Sequence, residues 1–293
     1  MRIGALVPNS GPWPLELGIP ALARTAEAAG YESLWVSDHI VLPERIESRY
    51  PFAVDGRATW PTDTPYVDAL IALALIAGAT ERAVIGTAVL VLPLRHPVIL
   101  AKQAASIDVA SGGRLKLGVG AGWLREEFEA LGVPFEGRGG RLVEWMQIAR
   151  DCWTGRPPAR STERYTLPAG MRSLPRPAHE IPFLIGGHSP PALRRAGRIA
   201  DGWLAQQSLS KLGPAALAAG VSAMRAAAEE AGRDPGELQV VLRLVDSAGR
   251  GAEIAKAVPA LAEAGVDELV VNIDWEGGDP AAELARMRVA ASD

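Results

Sequence analysis

The residues best suited to chemistry are an adjacent carboxylate and imidazole, Asp38-His39. A histidine changes charge near neutral pH, so it can pass a proton or hold a hydrogen bond to a polar ligand. The structural alternative is an imidazole satisfied by a loop carbonyl. A second candidate is Gly118-Val119-Gly120-Ala121-Gly122-Trp123, where glycines on alternate positions strip side chains from the end of an apolar segment. Such a stretch lets a flat ring or a phosphate chain approach the backbone, or it makes a tight turn. It is not a dinucleotide fingerprint. That pattern needs its third glycine where Trp123 stands, and it opens the first βαβ unit.

A third candidate is Gly186-Gly187-His188-Ser189-Pro190, small residues leading into a helix. Free N–H groups and the helix dipole attract an anion there. Equally, Ser189 and the prolines after it make an ordinary helix start. The run also imitates a serine-hydrolase elbow, but the triad histidine of that fold follows its serine. The four histidines, His39, His96, His179 and His188, all precede Ser189. Arg95 reads as a solvated or paired cation, and Arg141 with Glu144 as a surface or inter-helix pair. No histidine pair has zinc-ligand spacing and no acidic cluster suits a divalent ion, so no metal is expected.

These residues need a frame. Strand-like and helix-like segments alternate along the chain. The expected strands are Ile3–Val7, Ser33–Ser37, Ala83–Leu92, Leu115–Gly120, Pro182–Ile185, Gly202–Ala205, Leu238–Leu244 and Glu268–Ile273. The expected helices are Leu17–Ala29, Tyr66–Gly78, Pro97–Ala110, Arg138–Trp153, Pro190–Ile199, Pro214–Ala231, Ala252–Ala264 and Pro280–Ala290. The strands are apolar on both faces, as parallel strands covered by helices must be. Eight such units favour a single α/β domain over residues 1–293, a (β/α)8 TIM barrel. A proline-punctuated insertion at about 155–180 follows the fourth helix. Alternation alone leaves a doubly wound sheet open. In a barrel the site lies at the C-terminal ends of the strands. Those ends carry Asp38-His39, both glycine runs, Gln206-Gln207, Arg243 and Asn272–Asp274.

Composition narrows the function classes. The 293 residues are 48% hydrophobic and 22% charged, enough for a large core, with a net charge of −4. No basic cluster interleaves with aromatics, so nucleic acid is not an expected partner. Cys152 is the single cysteine, which fits a reducing cytoplasm. The N-terminus reads as a strand rather than a signal peptide, and the apolar run Ala69–Ala77 is too short to span a membrane. Trp35, Trp145, Trp153 and Trp203 read as core, whereas Trp13, Trp60, Trp123 and Trp275 fall where aromatic walls for a ring ligand belong.

Taken together, Ser37-Asp38-His39, Gly86–Leu90, Leu92–Pro97, Ala101-Lys102-Gln103, Asp108–Arg114, Gly118–Trp123 with Glu126-Glu127-Phe128, Leu131-Gly132-Val133 and Arg138 resemble the bacterial luciferase-like monooxygenase superfamily. The block from Pro182 through Gly186-Gly187 to Asp201-Gly202-Trp203 resembles its fifth and sixth strands. Asp38-His39 and the long loop Pro51–Trp60 with Arg57 resemble most its coenzyme F420-dependent oxidoreductases. The resemblance covers most of the chain and implies a (β/α)8 barrel with an insertion, a flavin or deazaflavin lying across the strand C-termini.

It also implies roles. Ala88 and Val89 hold a strained bulge, often a cis peptide, under the ring. Gly120, Ala121 and Gly122 line the ring and ribityl chain. Gly186, Gly187 and His188 offer backbone N–H groups to the phosphate. Asp38 joins the cofactor-binding residues, and His39 assists proton movement near the reacting carbon. Trp123 is a departure, because sugar-phosphate dehydrogenases of the family place a catalytic glutamate there. The implied activity is hydride transfer between coenzyme F420 and a small organic substrate, with the loop Pro43–Pro65 as a lid. The alternative is an FMN-dependent monooxygenase using molecular oxygen, and a third reading is a non-catalytic ligand-binding barrel. A homodimer is common in the family.

Overall fold

The computed structural model describes residues 1–51, 55–58 and 60–289. In chain order the elements are β1 (Arg2–Leu6), α1 (Ile19–Ala29), β2 (Ser33–Val36), α2 (Ala69–Ala79), β3 (Val84–Val91), α3 (Pro97–Ser111), β4 (Leu115–Gly120), α4 (Arg125–Ala130) and α5 (Arg138–Trp153). There follow a small hairpin of β5 (Arg160–Ser161) and β6 (Thr166–Leu167), then β7 (Phe183–Gly186), α6 (Pro190–Ile199), β8 (Gly202–Ser208), α7 (Pro214–Glu229), β9 (Gln239–Val245), α8 (Gly251–Glu263), β10 (Glu268–Asn272) and α9 (Pro280–Val289). The order β1-β10-β9-β8-β7-β4-β3-β2 closes on itself, all parallel. Closure rests on β1 pairing with β10 from Arg2↔Glu268 to Leu6↔Asn272, and this excludes the doubly wound sheet.

Period-two alternation explains why these strands are apolar on both faces. Leu6, Trp35, Leu184, Leu204, Val241 and Val270 fill the barrel interior. Their neighbours Val36, Phe183, Ile185, Trp203, Leu242 and Val271 pack outward under the helices. The N-terminal end of the barrel is stoppered by polar contacts. Buried Glu268 accepts from Ser33 Oγ at 2.5 Å and pairs with Arg2 at 3.0 Å.

Three local differences from expectation bear on function. Asp68 caps α2 by accepting from the Leu70 and Ile71 amides at 2.9 and 3.1 Å. The helix therefore starts at Ala69, and Tyr66 instead bridges to Ser10. At the other end of the chain, α1 begins at Ile19 because Pro14–Gly18 forms a π-turn that ends on Gly18 at φ +78°. Finally, the short helix α4 precedes α5 and carries Glu126 and Glu127 into the loop region above the barrel. The expected end of α9 at Ala290 lies outside the described residues, as do Phe52–Val54 and Thr59 of the long loop after β2.

Candidate active site

A cleft of about 930 Å³ opens at the C-terminal ends of the strands. Asp38, His39, Ala88, Val89, Gly120, Ala121, Gly122, Gly186, Gly187 and His188 all line it. Its floor on one side is a bulge in β3. The β3–β4 register shifts between Thr87 and Leu90, and the Ala88–Val89 peptide is cis. Val89 stands up from this bulge between two glycines. A Cβ on Gly120 would lie 2.8 Å from Val89 Cγ2, and one on Gly186 would lie 2.9 Å from Val89 Cγ1. Deeper in β4, a Cβ on Gly118 would sit 2.1 Å from the Thr87 carbonyl oxygen. The glycine ladder is thus required first by the protein's own packing, which makes Val89 a platform.

The Asp-His pair divides its work. Both Asp38 carboxylate oxygens are taken by the protein: Oδ1 by Arg95 at 2.5 Å and Oδ2 by the Val91 amide at 2.9 Å. Burial raises the Asp38 pKa, against the pull of Arg95 and that amide. Burial also opposes the charge on Arg95, but Asp38 and Asp68 outweigh it and hold the guanidinium protonated. Arg95 reaches Asp68 at 3.0 Å, so this triad ties the β2 and β3 ends to the start of α2.

His39 is held differently. Its Nδ1 lies 3.1 Å from Glu127, a carboxylate that is 1% exposed. Glu127 also accepts from the Ile40 amide at 2.5 Å. A carboxylate at Nδ1 assigns the proton to that nitrogen and leaves Nε2 for a ligand. The imidazole sits in an aromatic box, with Tyr66, Trp123 and Trp60 ring centroids 5.6, 6.0 and 6.2 Å away. Tyr50 closes the box at 5.0 Å from Trp60 and 5.1 Å from Trp123.

The loop after β2 delivers Tyr50 and Trp60. Glu126 fastens it by accepting from the Glu47 and Ser48 amides at 2.6 and 2.9 Å. At the far rim, Ser189 takes the N-cap position of α6 without a side-chain cap. The Gly187 carbonyl accepts from Trp203 Nε1 at 2.8 Å. His188 Nε2 meets the Gln206 backbone, and burial lowers its pKa. Arg138 and Arg195 line the same rim, and Arg138 donates to the Gly122 carbonyl at 3.0 Å.

Two aromatic expectations fail. Trp13 and Trp275 pack against the main core, and Trp275 borders a separate small groove with Leu17 and Pro280. Arg141 and Glu144 do not pair either. Arg141 is buried and donates to the Pro134 carbonyl at 2.7 Å, while Glu144 meets Arg164 at 3.3 Å. Sequence reasoning did not single out Tyr50 and Tyr66 of the box; Glu127 entered it only within the Glu126-Glu127-Phe128 block, and Gln206, Arg243 and Asn272 only as strand ends with no role assigned. Among the described residues, no cluster of His, Cys, Asp or Glu could hold a metal ion, and no helix is long and apolar enough to cross a membrane.

The luciferase-like monooxygenase family model matches residues 17–287. The chain belongs to that family. An uncharacterized protein of Mycobacterium tuberculosis is 40% identical to this luciferase-like protein over 183 residues, 62% of this chain and 63% of the relative. The match thus spans less than two thirds of that relative's length. An F420-dependent glucose-6-phosphate dehydrogenase of Nakamurella multipartita is 31% identical over 228 residues, 76% of this chain and 61% of that enzyme. Among solved structures, an F420-dependent secondary alcohol dehydrogenase in complex with an F420-acetone adduct superposes with a TM-score of 0.78 at 19% identity. It covers 100% of this chain and 99% of its own, and shares the luciferase-like fold.

Proposed function

We propose that this luciferase-like protein transfers hydride between coenzyme F420 and a small organic substrate, with His39 moving the accompanying proton. The observation that carries the reading is the Glu127–His39 pair at 3.1 Å beside the Val89 platform. The F420-dependent names among its relatives support the cofactor.

The residues present fit such a group. Val89, with the glycines on either side of it, offers a flat apolar seat, and the cleft is of a size that holds a ring cofactor and a small substrate. Arg138 and Arg195 offer positive charge at the rim beside the start of α6, where a phosphate would sit. When bound, a deazaflavin supplies a carbon that gives or takes hydride, with no nitrogen there to support oxygen activation.

The chain supplies the rest. Glu127 fixes the His39 ring, so that Nε2 accepts or donates one proton at a constant position. Tyr50, Trp60 and Trp123 give the His39 ring apolar neighbours, and a ligand bound in the cleft would complete the exclusion of water from that nitrogen. Trp123 directly follows the glycine ladder, where the family resemblance implies a glutamate in sugar-phosphate dehydrogenases, so a sugar phosphate is not the substrate proposed.

The test is titration of the purified protein with F420 and with FMN at matched salt, followed by ring fluorescence. Saturable F420 binding is expected. Micromolar FMN binding without an F420 response would overturn the reading in favour of the FMN-dependent monooxygenase. Binding of neither would favour the ligand-binding barrel.

A further inference from the structure

The cleft has a second polar feature that hydride transfer by itself does not require. Arg243, on β9, points into the barrel mouth and lines the cleft. Its Nη1 donates to the Ala88 carbonyl at 2.6 Å. Its Nε is buried with no partner. No carboxylate pairs with it among the described residues. The groups acting on its charge are the phenols of Tyr50 and Tyr66, and burial lowers its pKa. A guanidinium stays protonated in proteins, so this is a desolvated cation without a counter-ion.

Its neighbours extend the pattern. Gln206 lies opposite Arg243 in the β8–β9 register and donates to Tyr50 Oη at 3.3 Å. Asn272, at the end of β10, has a buried Oδ1 with no partner and also lines the cleft. Holding the Ala88 carbonyl takes one of five guanidinium donors and needs no charge. Burying an unpaired charge is costly, and such groups are tolerated where a ligand completes them.

We infer that Arg243 is the anchor for the carboxylate of a planar organic acid, bound beside the Val89 platform toward the ends of β8, β9 and β10. This rests on the reading of the cleft as a cofactor-and-substrate site. The positions given to the cofactor lie on β3, β4 and β7, which leaves the ends of β8, β9 and β10 for the second ligand. A guanidinium fork matches a carboxylate in one plane with two parallel hydrogen bonds. The box of Tyr50, Trp60 and Trp123 continues from Gln206 and takes a flat apolar body. Asn272 Oδ1 is an unfilled acceptor that a hydroxyl or N–H on the same molecule would satisfy.

The test uses the full chain, with benzoate as probe and benzamide as its uncharged isostere, read by quenching of tryptophan fluorescence. Benzoate is expected to bind about 10–100-fold more tightly than benzamide, the range for hydrogen bonds to a charged group. In Arg243→Met the preference should fall to near unity, and because it is a ratio, shared damage to the cleft cancels. Arg243→Lys keeps the charge without the fork and should retain part of the preference. Equal affinities in the native chain, no benzoate binding, or a preference unchanged in Arg243→Met would each overturn the assignment. So would displacement of bound benzoate by F420 in the native chain, because the guanidinium would then belong to the cofactor. If the native chain keeps the benzoate preference but ignores F420, the cofactor reading fails and the anchor stands.

Discussion

On the side formed by β3, β4 and β7, the cleft wall is backbone, glycine, Ala88 and the valines Val89 and Val91. On the side formed by β8, β9 and β10, it is the polar side chains Gln206, Arg243 and Asn272. The first wall is shaped by what the barrel cannot accommodate: a Cβ at Gly118, Gly120 or Gly186 would strike Thr87 or Val89. The second wall is shaped by groups the barrel leaves unsatisfied, Arg243 Nε and Asn272 Oδ1. Steric exclusion suits a cofactor held the same way every turnover. Unfilled donors and acceptors suit a second ligand that completes them.

His39 sits where the two walls meet, and its removal should have the largest effect. His39→Ala is expected to lower turnover about 10²–10⁴-fold while F420 affinity changes little. Unchanged turnover in steady-state assays with F420 would make His39 a structural residue and shift the chemistry to one wall alone.

The next effect tests the steric wall against the polar one. Gly118→Ala places a methyl group 2.1 Å from the Thr87 carbonyl oxygen and should cost about 3 kcal/mol in urea unfolding. Gln206→Ala on the opposite wall removes one 3.3 Å hydrogen bond and should cost about 1 kcal/mol or less. Equal losses would erase the distinction.

The smallest effect concerns the loop that roofs both walls. Burial works to raise the Glu126 pKa, but hydrogen bonds from the Ser48 hydroxyl and the Ser48 and Glu47 amides outweigh it and hold it below the ordinary 4.5. A depressed carboxylate stabilises the native state above its unfolded pKa, and this is lost as pH falls through the folded value. The protection factors of the Glu47 and Ser48 amides, exchange rates normalised to the intrinsic rate at each pH, should therefore be constant near pH 7 and fall below about pH 4.5. In Glu126→Gln protection should already be lower at pH 7, by about 1 kcal/mol. Protection that ignores both pH and the substitution would show that the loop is held by its aromatics instead.

The barrel was legible because each strand carries two apolar faces and alternates with a helix-like segment, two of which, α1 and α3, end on left-handed glycines, Gly30 at φ +99° and Gly112 at φ +71°. The steric wall was legible for a related reason: glycine is informative wherever a side chain is forbidden. The polar wall was legible in place but not in role: the strand ends put Gln206, Arg243 and Asn272 at the barrel mouth, but only the packed barrel shows which of their donors and acceptors stay unsatisfied. Glu127 was visible only as part of the Glu126-Glu127-Phe128 block, because nothing in the local sequence shows that a carboxylate 88 residues after His39 lies 1% exposed against its ring. Tryptophans at loop positions carried no usable direction, since Trp60 and Trp123 face the cleft while Trp13 and Trp275 join the core.

The wedge of Val89 between Gly120 and Gly186 has a consequence for how the cleft can change. Three strands meet at this one side chain, so the three positions can drift only together. A smaller residue at position 89 would release both glycines to become alanine, whereas either glycine changed first runs into the valine. The order of substitution is thus written into the geometry. Remodelling the seat, in a laboratory or in a lineage, begins at the valine.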